Sequence, residues 1–266
     1  MGDPVLARIQ EALSAAEEAL KPFAPGAIEA KYKSAGDPVT EADHAVNHVL
    51  QKLLLRDGEG WLSEESADDL NRLAKQRVWI VDPLDGTREF VAGIPEWCVS
   101  IALVEGGKAI AGGIVNPATH ETFLGASGSG ITYNGRPAAP SAKASLEGAL
   151  VLASRSEVKR GEWERFSGEP FTVRPSGSVA YKLACVAAGL ADATWTLTPK
   201  HEWDIAAGVA LVQAARGFAG SLAQAPLTFN NRQALLPGLM ASGARLREEL
   251  NSYLAPHIAA VGVAPV

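Results

Sequence analysis

Hydrophobic residues in the N-terminal part of the chain recur at the spacing of an amphipathic helix. They lie three or four residues apart, so that they share one helical face. Pro22, Pro25 and Gly26 follow this pattern and predict its end. The residues of the apolar face are Val5, Ile9, Leu13, Ala16 and Leu20.

A second helix is predicted to begin directly after Thr40. Threonine is a favoured N-cap, and Asp43, three residues later, can complete a short form of the capping box. We expect the two helices to lie side by side on a sheet, since each has one apolar face to bury. The apolar stripe of the second helix is Val46, Val49, Leu50 and Leu53.

From residue 77 to residue 133 the pattern changes to short β-branched runs. VWIVD, CVSIALVE, AIAGGIVN, ETFLGA and GITYNG are separated by Gly, Pro and Asn, which is typical of an antiparallel meander. The following segment, NGRPAAPSAKASL, is rich in Pro, Ala and Ser. It sets the expected boundary between an N-terminal α+β lobe, residues 1–138, and a smaller C-terminal α/β lobe, residues 139–266.

The second half of the chain alternates between strand and helix periodicity, as in an α/β arrangement. Gly217 is predicted to end the third of its helices. Strands are predicted at residues 149–153, 171–174 and 193–197, and helices at residues 157–166, 179–189, 205–215 and 244–258.

Composition and charge narrow the class of protein. The chain has 266 residues, 47% of them hydrophobic, and a formal net charge of −6, which favours a globular protein and gives no electrostatic footprint for a nucleic-acid polymer or an anionic membrane. Its two cysteines are too few for a disulfide framework. The N-terminus lacks an export pattern and no apolar run is long enough for a membrane span. We therefore expect a cytoplasmic protein.

Candidate chemistry is concentrated in four acidic segments, VTEAD, LSEES, DPLDGT and HEWD. In DPLDGT, Pro83 fixes φ and interrupts strand pairing, so that the turn can aim Asp82 and Asp85 at one point. Two converging carboxylates repel unless a cation joins them. Mg²⁺ prefers carboxylate and carbonyl oxygens, and the Leu84 carbonyl lies between the two aspartates.

The next residues predict a phosphate site. Gly86 allows close approach of a ligand to the backbone, and Thr87 is placed to begin a helix whose N–H groups favour an anion. Paired Mg²⁺ ions would balance the charge of four carboxylates, one or two from each of three acidic segments, and would activate a water. The Thr87 hydroxyl would orient that water and Asp43 would accept from Thr87, which is metal-assisted hydrolysis of a phosphomonoester. The four carboxylates are Glu64, Asp82, Asp85 and Asp204.

DPLDGT, preceded by the SEES segment and followed far downstream by WDIAAG, resembles the inositol monophosphatase superfamily, which includes inositol monophosphatases and CysQ-type 3′(2′),5′-bisphosphate nucleotidases. The resemblance runs from the first helix to about Gly238. It implies a layered αβαβα sandwich, two or three Mg²⁺ ions, and Thr87, Asp43 and Glu64 as catalytic residues. It implies as metal ligands Glu64, Asp82, the Leu84 carbonyl, Asp85 and Asp204, and as phosphate and substrate contacts Gly86, Thr87, Gly177 and Ser178.

Structural roles compete with some of these assignments. Asp204 can equally be the N-cap of the helix that begins IAAG, a favoured place for aspartate, and Asp43 can simply cap its own helix. The two cysteines, Cys98 and Cys185, are expected to be small buried hydrophobes. The Ala-rich helices fit either a homodimer interface or tight internal packing.

The expected substrate is a small phosphate monoester, and two substrate classes compete for its identity. The nucleotidases resemble this chain in two places, at Arg88 and Glu89 after DGT and at the segment SRSE. The chain departs from them in two others: Glu157 replaces the histidine of SRSH, and Lys182 lies one residue beyond the lysine position of GSSLKF. Leu197 falls where inositol enzymes have a substrate-binding glutamate. We favour a bisphosphorylated nucleotide such as 3′-phosphoadenosine 5′-phosphate.

In that interpretation Arg88, Arg155 or Lys182 would contact the second phosphate. Inositol monophosphate is the close alternative. Two further alternatives are a fructose-1,6-bisphosphatase and a catalytically silent module that binds a phosphorylated ligand.

Overall fold

The computed structural model describes residues 3–32 and 38–260, and the first two helices form as the sequence predicts. α1 spans Pro4–Leu20 and α2 spans Glu41–Leu54. Thr40 is the N-cap of α2, and the Asp43 carboxylate accepts the Thr40 N–H at 2.8 Å, which completes the capping box. The buried faces of both helices pack on one face of the larger sheet.

The larger sheet has seven strands in sequential order, preceded by a two-stranded antiparallel pair, β1 and β2. β3 pairs parallel to β4, and every later pair is antiparallel. The predicted meander is therefore confirmed, whereas the parallel edge strand β3 and the last strand β9 were not predicted. The strands are β1 Lys31–Tyr32, β2 Pro38–Val39, β3 Gly60–Ser63, β4 Arg77–Asp85, β5 Cys98–Glu105, β6 Lys108–Asn116, β7 Glu121–Ala126, β8 Gly130–Tyr133 and β9 Arg136–Ala138.

The second sheet has five strands in the order β11-β10-β12-β16-β14. β10 is parallel to β11 and β12, and β16 is antiparallel to β12 and β14. β14 and β16 were not predicted, and β13 and β15 form a separate two-stranded pair. The strands are β10 Leu150–Ser154, β11 Thr172–Ser176, β12 Ala193–Thr196, β13 Lys200–His201, β14 Phe218–Ser221, β15 Leu235–Leu236 and β16 Leu239–Ser242.

Five further α-helices lie among these strands: α3 Thr87–Val91, α4 Arg155–Lys159, α5 Val179–Ala187, α6 Glu202–Ala214 and α7 Arg247–Ala260. Short 3₁₀-helices occur at Asn71–Ala74, Glu164–Phe166 and Ala244–Leu246. Within the described residues, no helix combines the length and the apolar character that a bilayer crossing requires.

Two predicted helices differ from the structure. The predicted helix 157–166 is wrong as one element, because α4 ends before Arg160 and Gly161, at φ +78°, turns the chain before the 3₁₀-helix begins. α6 begins at Glu202 instead of residue 205, and its N-cap is His201. At the C-terminal end of α6, the residue with left-handed backbone is Arg216, at φ +63°, and not Gly217, which was predicted to end the helix.

The elements stack in five layers, which confirms the αβαβα arrangement. α1 and α2 cover one face of the larger sheet, and α5 and α6 fill the space between the two sheets. An aromatic cluster that includes Trp163 and Trp195, together with Leu250 and Leu254 of α7, covers the outer face of the second sheet. Because α6 packs on the larger sheet, the core is continuous across residue 138, and the lobe division there remains a prediction.

Candidate active site

The segment Asp82–Thr87 is a sharp turn at the end of β4. Pairing between β4 and β5 shifts register between Asp82 and Asp85, as expected for a strand interrupted by proline. The Leu84 N–H donates to Asp82 Oδ1 at 3.0 Å, and Gly86 has φ +98° before α3 begins at Thr87. The turn therefore holds the Asp82 carboxylate against its own backbone and directs the chain into α3.

A cavity of about 500 Å³ opens at this turn. It brings together residues from both halves of the sequence, including every predicted site residue except Asp43, which contacts Thr87 instead. The predicted residues in its wall are Glu64, Asp82, Leu84, Asp85, Gly86, Thr87, Arg88, Gly177, Ser178, Lys182 and Asp204.

The carboxylates in the cavity affect one another electrostatically. Burial, and then the charges of Glu64, Asp85 and Asp204, raise the pKa of Asp82 well above its ordinary value. Burial, Asp85 and Glu64 do the same to the pKa of Asp204. Within residues 3–32 and 38–260, no three acidic, histidine or cysteine side chains form a ready-made metal site. The cavity thus holds a set of like charges that a cation would relieve.

Asp85 joins the turn to α5. Its Oδ2 accepts from the Ser178 hydroxyl at 2.6 Å and from the Ala180 N–H at 2.7 Å. Ser178 is the N-cap of α5 and has φ +51°, and its hydroxyl also accepts the Tyr181 N–H at 2.9 Å. Burial raises the pKa of Asp85, although these hydrogen bonds oppose the shift. The start of α5 is therefore fixed against the Asp82–Thr87 turn.

Glu96 forms a second connection between the two halves. It accepts two hydrogen bonds at 2.6–2.7 Å from Nη2 of Arg155, and one from the Gly177 N–H at 2.8 Å. Gly177 thus lines the cavity as predicted, but its N–H already donates to Glu96. Glu96 was not predicted as a site residue, because nothing in its local sequence pattern distinguishes it from a surface glutamate.

Thr87 and Asp43 are in contact, as the sequence predicts. The Thr87 hydroxyl lies 3.2 Å from Asp43 Oδ1 and 3.0 Å from the Leu84 carbonyl. Asp43 is 1% exposed, and its other oxygen accepts from the Thr40 N–H and hydroxyl. Burial raises the pKa of Asp43 in spite of these hydrogen bonds. Asp43 therefore both caps α2 and holds Thr87.

Asp204 is the third residue of α6, so its predicted role as N-cap is wrong. His201 is the N-cap, and its N–H donates to Asp204 Oδ2 at 3.0 Å. The imidazole of His201 stacks on Trp203 with ring centroids 4.4 Å apart. The capping contact orients the Asp204 side chain at the cavity wall.

The cations of the cavity differ in their surroundings. Lys182 is 3% exposed, its ammonium donates to the Ser178 carbonyl at 2.9 Å, and burial lowers its pKa. Arg88 is exposed. Lys200 also lines the cavity and was not predicted as a site residue. Its position four residues before Asp204, in the segment PKHEWD, is the signal that could have identified it.

The model of the inositol monophosphatase family matches residues 3–259. Inositol-1-monophosphatase of Mesorhizobium japonicum is 36% identical over 204 residues, which cover 73% of this chain and 76% of that protein.

Two solved structures have the same fold. The extragenic suppressor protein suhB of Bartonella henselae superposes with a TM-score of 0.79 at 30% identity, covering 95% of this chain and 98% of the other. Inositol monophosphatase of Anabaena (Nostoc) sp. PCC 7120 gives a TM-score of 0.78 at 29% identity, with 95% of each chain covered.

Proposed function

This chain belongs to the inositol monophosphatase family and is a metal-dependent phosphoric monoester hydrolase, and on that premise we propose how its own residues perform the reaction and which substrate it takes. The observation that carries the proposal is the convergence of Glu64, Asp82, Asp85 and Asp204 on one cavity beside the Thr87–Asp43 pair.

The donor set in the cavity fits Mg²⁺. This ion prefers hard oxygen ligands. Burial, and then neighbouring carboxylates, raise the pKa values of Asp82 and Asp204, which marks a group of like charges that a cation would relieve. Bound there, Mg²⁺ would supply that charge, attract the substrate phosphoryl group and make a water more acidic. We assign the ions, two by charge balance, to Glu64, Asp82, the Leu84 carbonyl, Asp85 and Asp204.

Thr87 and Asp43 handle the attacking water in this proposal. With its proton donated to Asp43 Oδ1, the Thr87 hydroxyl keeps lone pairs that accept a hydrogen bond from the water and orient it. The raised pKa of Asp43 makes its carboxylate a better acceptor for a proton passed along this pair. Because Thr40 holds the other carboxylate oxygen, Asp43 cannot turn away from Thr87.

The phosphoryl group is proposed to lie between the turn and the start of α5. Gly86 has no side chain to block it, and Thr87 and Ser178 place hydroxyls in the same cavity wall. Glu96 keeps the backbone at Gly177 in place, which supports the shape of this wall. Arg88 and Lys182 add positive charge to the cavity and are the further proposed substrate contacts.

Two substrates remain in competition. The relative from Mesorhizobium japonicum is described as an inositol-1-monophosphatase, which favours inositol 1-phosphate as the substrate of this chain. A bisphosphorylated nucleotide is favoured by Leu197, an apolar residue that lines a separate cavity of about 200 Å³ and offers no hydrogen bond to a polyol. The cationic residues Arg88, Lys182 and Lys200 in the larger cavity also favour a second phosphate.

Phosphate release from a substrate panel tests the proposal. Inositol 1-phosphate, 3′-phosphoadenosine 5′-phosphate and fructose 1,6-bisphosphate are each assayed with Mg²⁺ and with chelator. We expect turnover only with Mg²⁺ and at least about 1,000-fold less in Asp85→Asn, because an amide cannot replace a charged ligand. Exposed Asp57→Asn is the matched control and should behave like the wild type.

The panel also separates the alternatives. A clear preference for fructose 1,6-bisphosphate over the other two substrates would indicate a fructose-1,6-bisphosphatase. A ligand-induced rise in melting temperature without turnover of any substrate would overturn the hydrolytic proposal and favour a binding module. Undiminished turnover by Asp85→Asn would overturn the assignment of the ligands.

A further inference from the structure

Lys200 lies in the wall of the active-site cavity, in β13. Its ammonium is 3.0 Å from Glu157 Oε1, and the side chains of Lys200 and Glu157 are only 16% and 2% exposed. An ion pair of this kind, one partner buried and the other at a cavity wall, differs from the exposed surface pairs that contribute little to stability.

Glu157 is held in place from several sides. Oε1 accepts from the hydroxyls of Thr196 at 2.6 Å and Thr198 at 2.9 Å, and Oε2 accepts from Trp163 Nε1 at 3.2 Å. Burial alone would raise the pKa of Glu157, but the Lys200 charge and these hydrogen bonds outweigh it, so the pKa lies below its ordinary value. Glu157 is therefore a fixed negative charge at neutral pH.

The backbone of Lys200 is fixed as well. β13 pairs with β15, and the next residue, His201, caps α6 through Asp204. An ammonium has three N–H donors, and in the described part of the chain Glu157 is the acceptor found for this one. Two donors of a positioned cation therefore remain available to a ligand in the cavity.

Two other cations of the cavity wall also bond to the protein. The Lys182 ammonium donates to the Ser178 and Ser176 carbonyls, and the Arg155 guanidinium binds the Glu96 carboxylate through two nitrogens. The Lys200–Glu157 pair is the more buried of the two ion pairs, with side chains 16% and 2% exposed against 38% and 23% for Arg155 and Glu96. Its cation is therefore the less screened by solvent.

We propose that Lys200 binds a second phosphate group carried by the leaving-group part of the substrate, and that Glu157 is the positioning residue that holds it there. This inference rests on the proposed hydrolysis of a phosphomonoester and specifies its substrate class. It also explains why glutamate stands at position 157, where the SRSH pattern has histidine. The Glu157 carboxylate anchors Lys200 and does not face the substrate.

Pairs of substrates that differ only in the second phosphate test this inference. 3′-Phosphoadenosine 5′-phosphate is compared with adenosine 3′-phosphate, and inositol 1,4-bisphosphate with inositol 1-phosphate, in the Mg²⁺-loaded enzyme. The wild type should prefer the doubly phosphorylated member of at least one pair. In Lys200→Met that preference should fall by about tenfold or more through KM, because a hydrogen bond between charged groups is lost.

Binding without turnover provides a second readout. Inhibition by adenosine 5′-phosphate, the product that retains the second phosphate, should weaken in Lys200→Met by a similar factor, whereas inhibition by inorganic phosphate should not. Lys200→Arg should retain most of the preference. Lys52→Met, an exposed lysine of α2 remote from the cavity wall, is the matched control and should change neither inhibition constant.

Glu157 is tested as a positioning residue with Glu157→Gln. We expect a smaller loss of preference than in Lys200→Met, seen as a rise in KM for the doubly phosphorylated substrate. The double variant should show no further loss, because both changes act through one ammonium. A purely structural role for Glu157 would instead change kcat and KM for both members of a pair alike, and would overturn its assignment.

The outcomes separate this inference from the proposed function. If the wild type hydrolyses singly phosphorylated substrates with Mg²⁺ and Lys200→Met leaves every ratio unchanged, only the Lys200 inference is overturned. A wild type without preference for either doubly phosphorylated substrate overturns it as well. If no substrate releases phosphate under any condition, the proposed function itself fails.

Discussion

The Thr87 hydroxyl lies 3.2 Å from Asp43 Oδ1, although 44 residues separate the two in sequence. The contact joins the first residue of α3 to the third residue of α2, across the base of the cavity turn. Asp43 also accepts the Thr40 N–H at the N-terminus of its own helix. The same carboxylate therefore has a structural partner, Thr40, and a proposed catalytic partner, Thr87.

Removing the Thr87 hydroxyl should abolish most activity while leaving the fold intact. We expect kcat of Thr87→Ala to fall by about 100-fold or more, with KM changed by only a few-fold, since the hydroxyl is proposed to orient the attacking water. Thr87→Ser keeps the hydroxyl and should retain most of kcat. Steady-state kinetics with saturating Mg²⁺ measure both, and a Thr87→Ala enzyme with kcat near that of the wild type would contradict the proposed role.

Mg²⁺ should stabilise the protein through the acidic cluster. An ion that binds the folded state at about 100 times its Kd contributes about 2.7 kcal/mol, which raises the melting temperature by several degrees. In Asp204→Asn this rise should shrink, because a charged ligand is lost while the amide can still accept the His201 N–H. Thermal unfolding with Mg²⁺ and with chelator measures the shift.

Asp57→Asn is the control for the thermal experiment, since Asp57 is exposed and lies outside the cavity wall. It should show the full wild-type shift. An equal Mg²⁺ shift in Asp204→Asn would argue that the ion binds elsewhere.

Gly86 should be intolerant of any side chain. Its φ is +98°, and a Cβ there would lie 2.9 Å from the Glu96 carbonyl and 3.1 Å from Trp97. Gly128 has a similar φ of +81° with nothing within 4 Å, so Gly128→Ala isolates the backbone cost, about 1–2 kcal/mol. Gly86→Ala should cost about 1–3 kcal/mol more through overpacking. Urea unfolding compares the two, and equal losses would show that the close contacts relax freely.

The Glu157 carboxylate should stabilise the fold in a pH-dependent way. Because its pKa is lower in the folded protein than its ordinary value, the stabilisation is present above the unfolded pKa of about 4.3 and is lost as pH falls through the folded value. We expect Glu157→Gln to be about 2 kcal/mol less stable at pH 7, with the difference shrinking below about pH 4.

Urea unfolding at pH 7 and at acid pH measures the Glu157 effect. Exposed Glu11→Gln in α1 is the control and should differ little from the wild type at either pH. A Glu157→Gln difference that stays constant with pH would indicate that packing, not charge, is responsible.

Much of the fold and of the candidate site could be predicted from local sequence. The capping box of Thr40 and Asp43, the turn at Pro83 and the period-two runs of β4 and β5 act over a few residues, so their signals are written in short stretches of sequence. The acidic segments were also visible, and the structure brings Glu64, Asp82, Asp85 and Asp204 to one cavity wall.

Other features depend on contacts between distant segments, and no local pattern specifies them. The Glu96 carboxylate meets Arg155 and Gly177 only where the two halves of the chain come together. Glu157 meets Lys200 because β10 and β12, which precede them, are neighbours in the second sheet. The strands β14 and β16 are likewise defined by their partners. Hydrophobic periodicity and caps determined which elements form. Tertiary packing decided which groups meet the Glu96 and Glu157 carboxylates, since a carboxylate that loses water on folding needs hydrogen-bond partners wherever the fold places it.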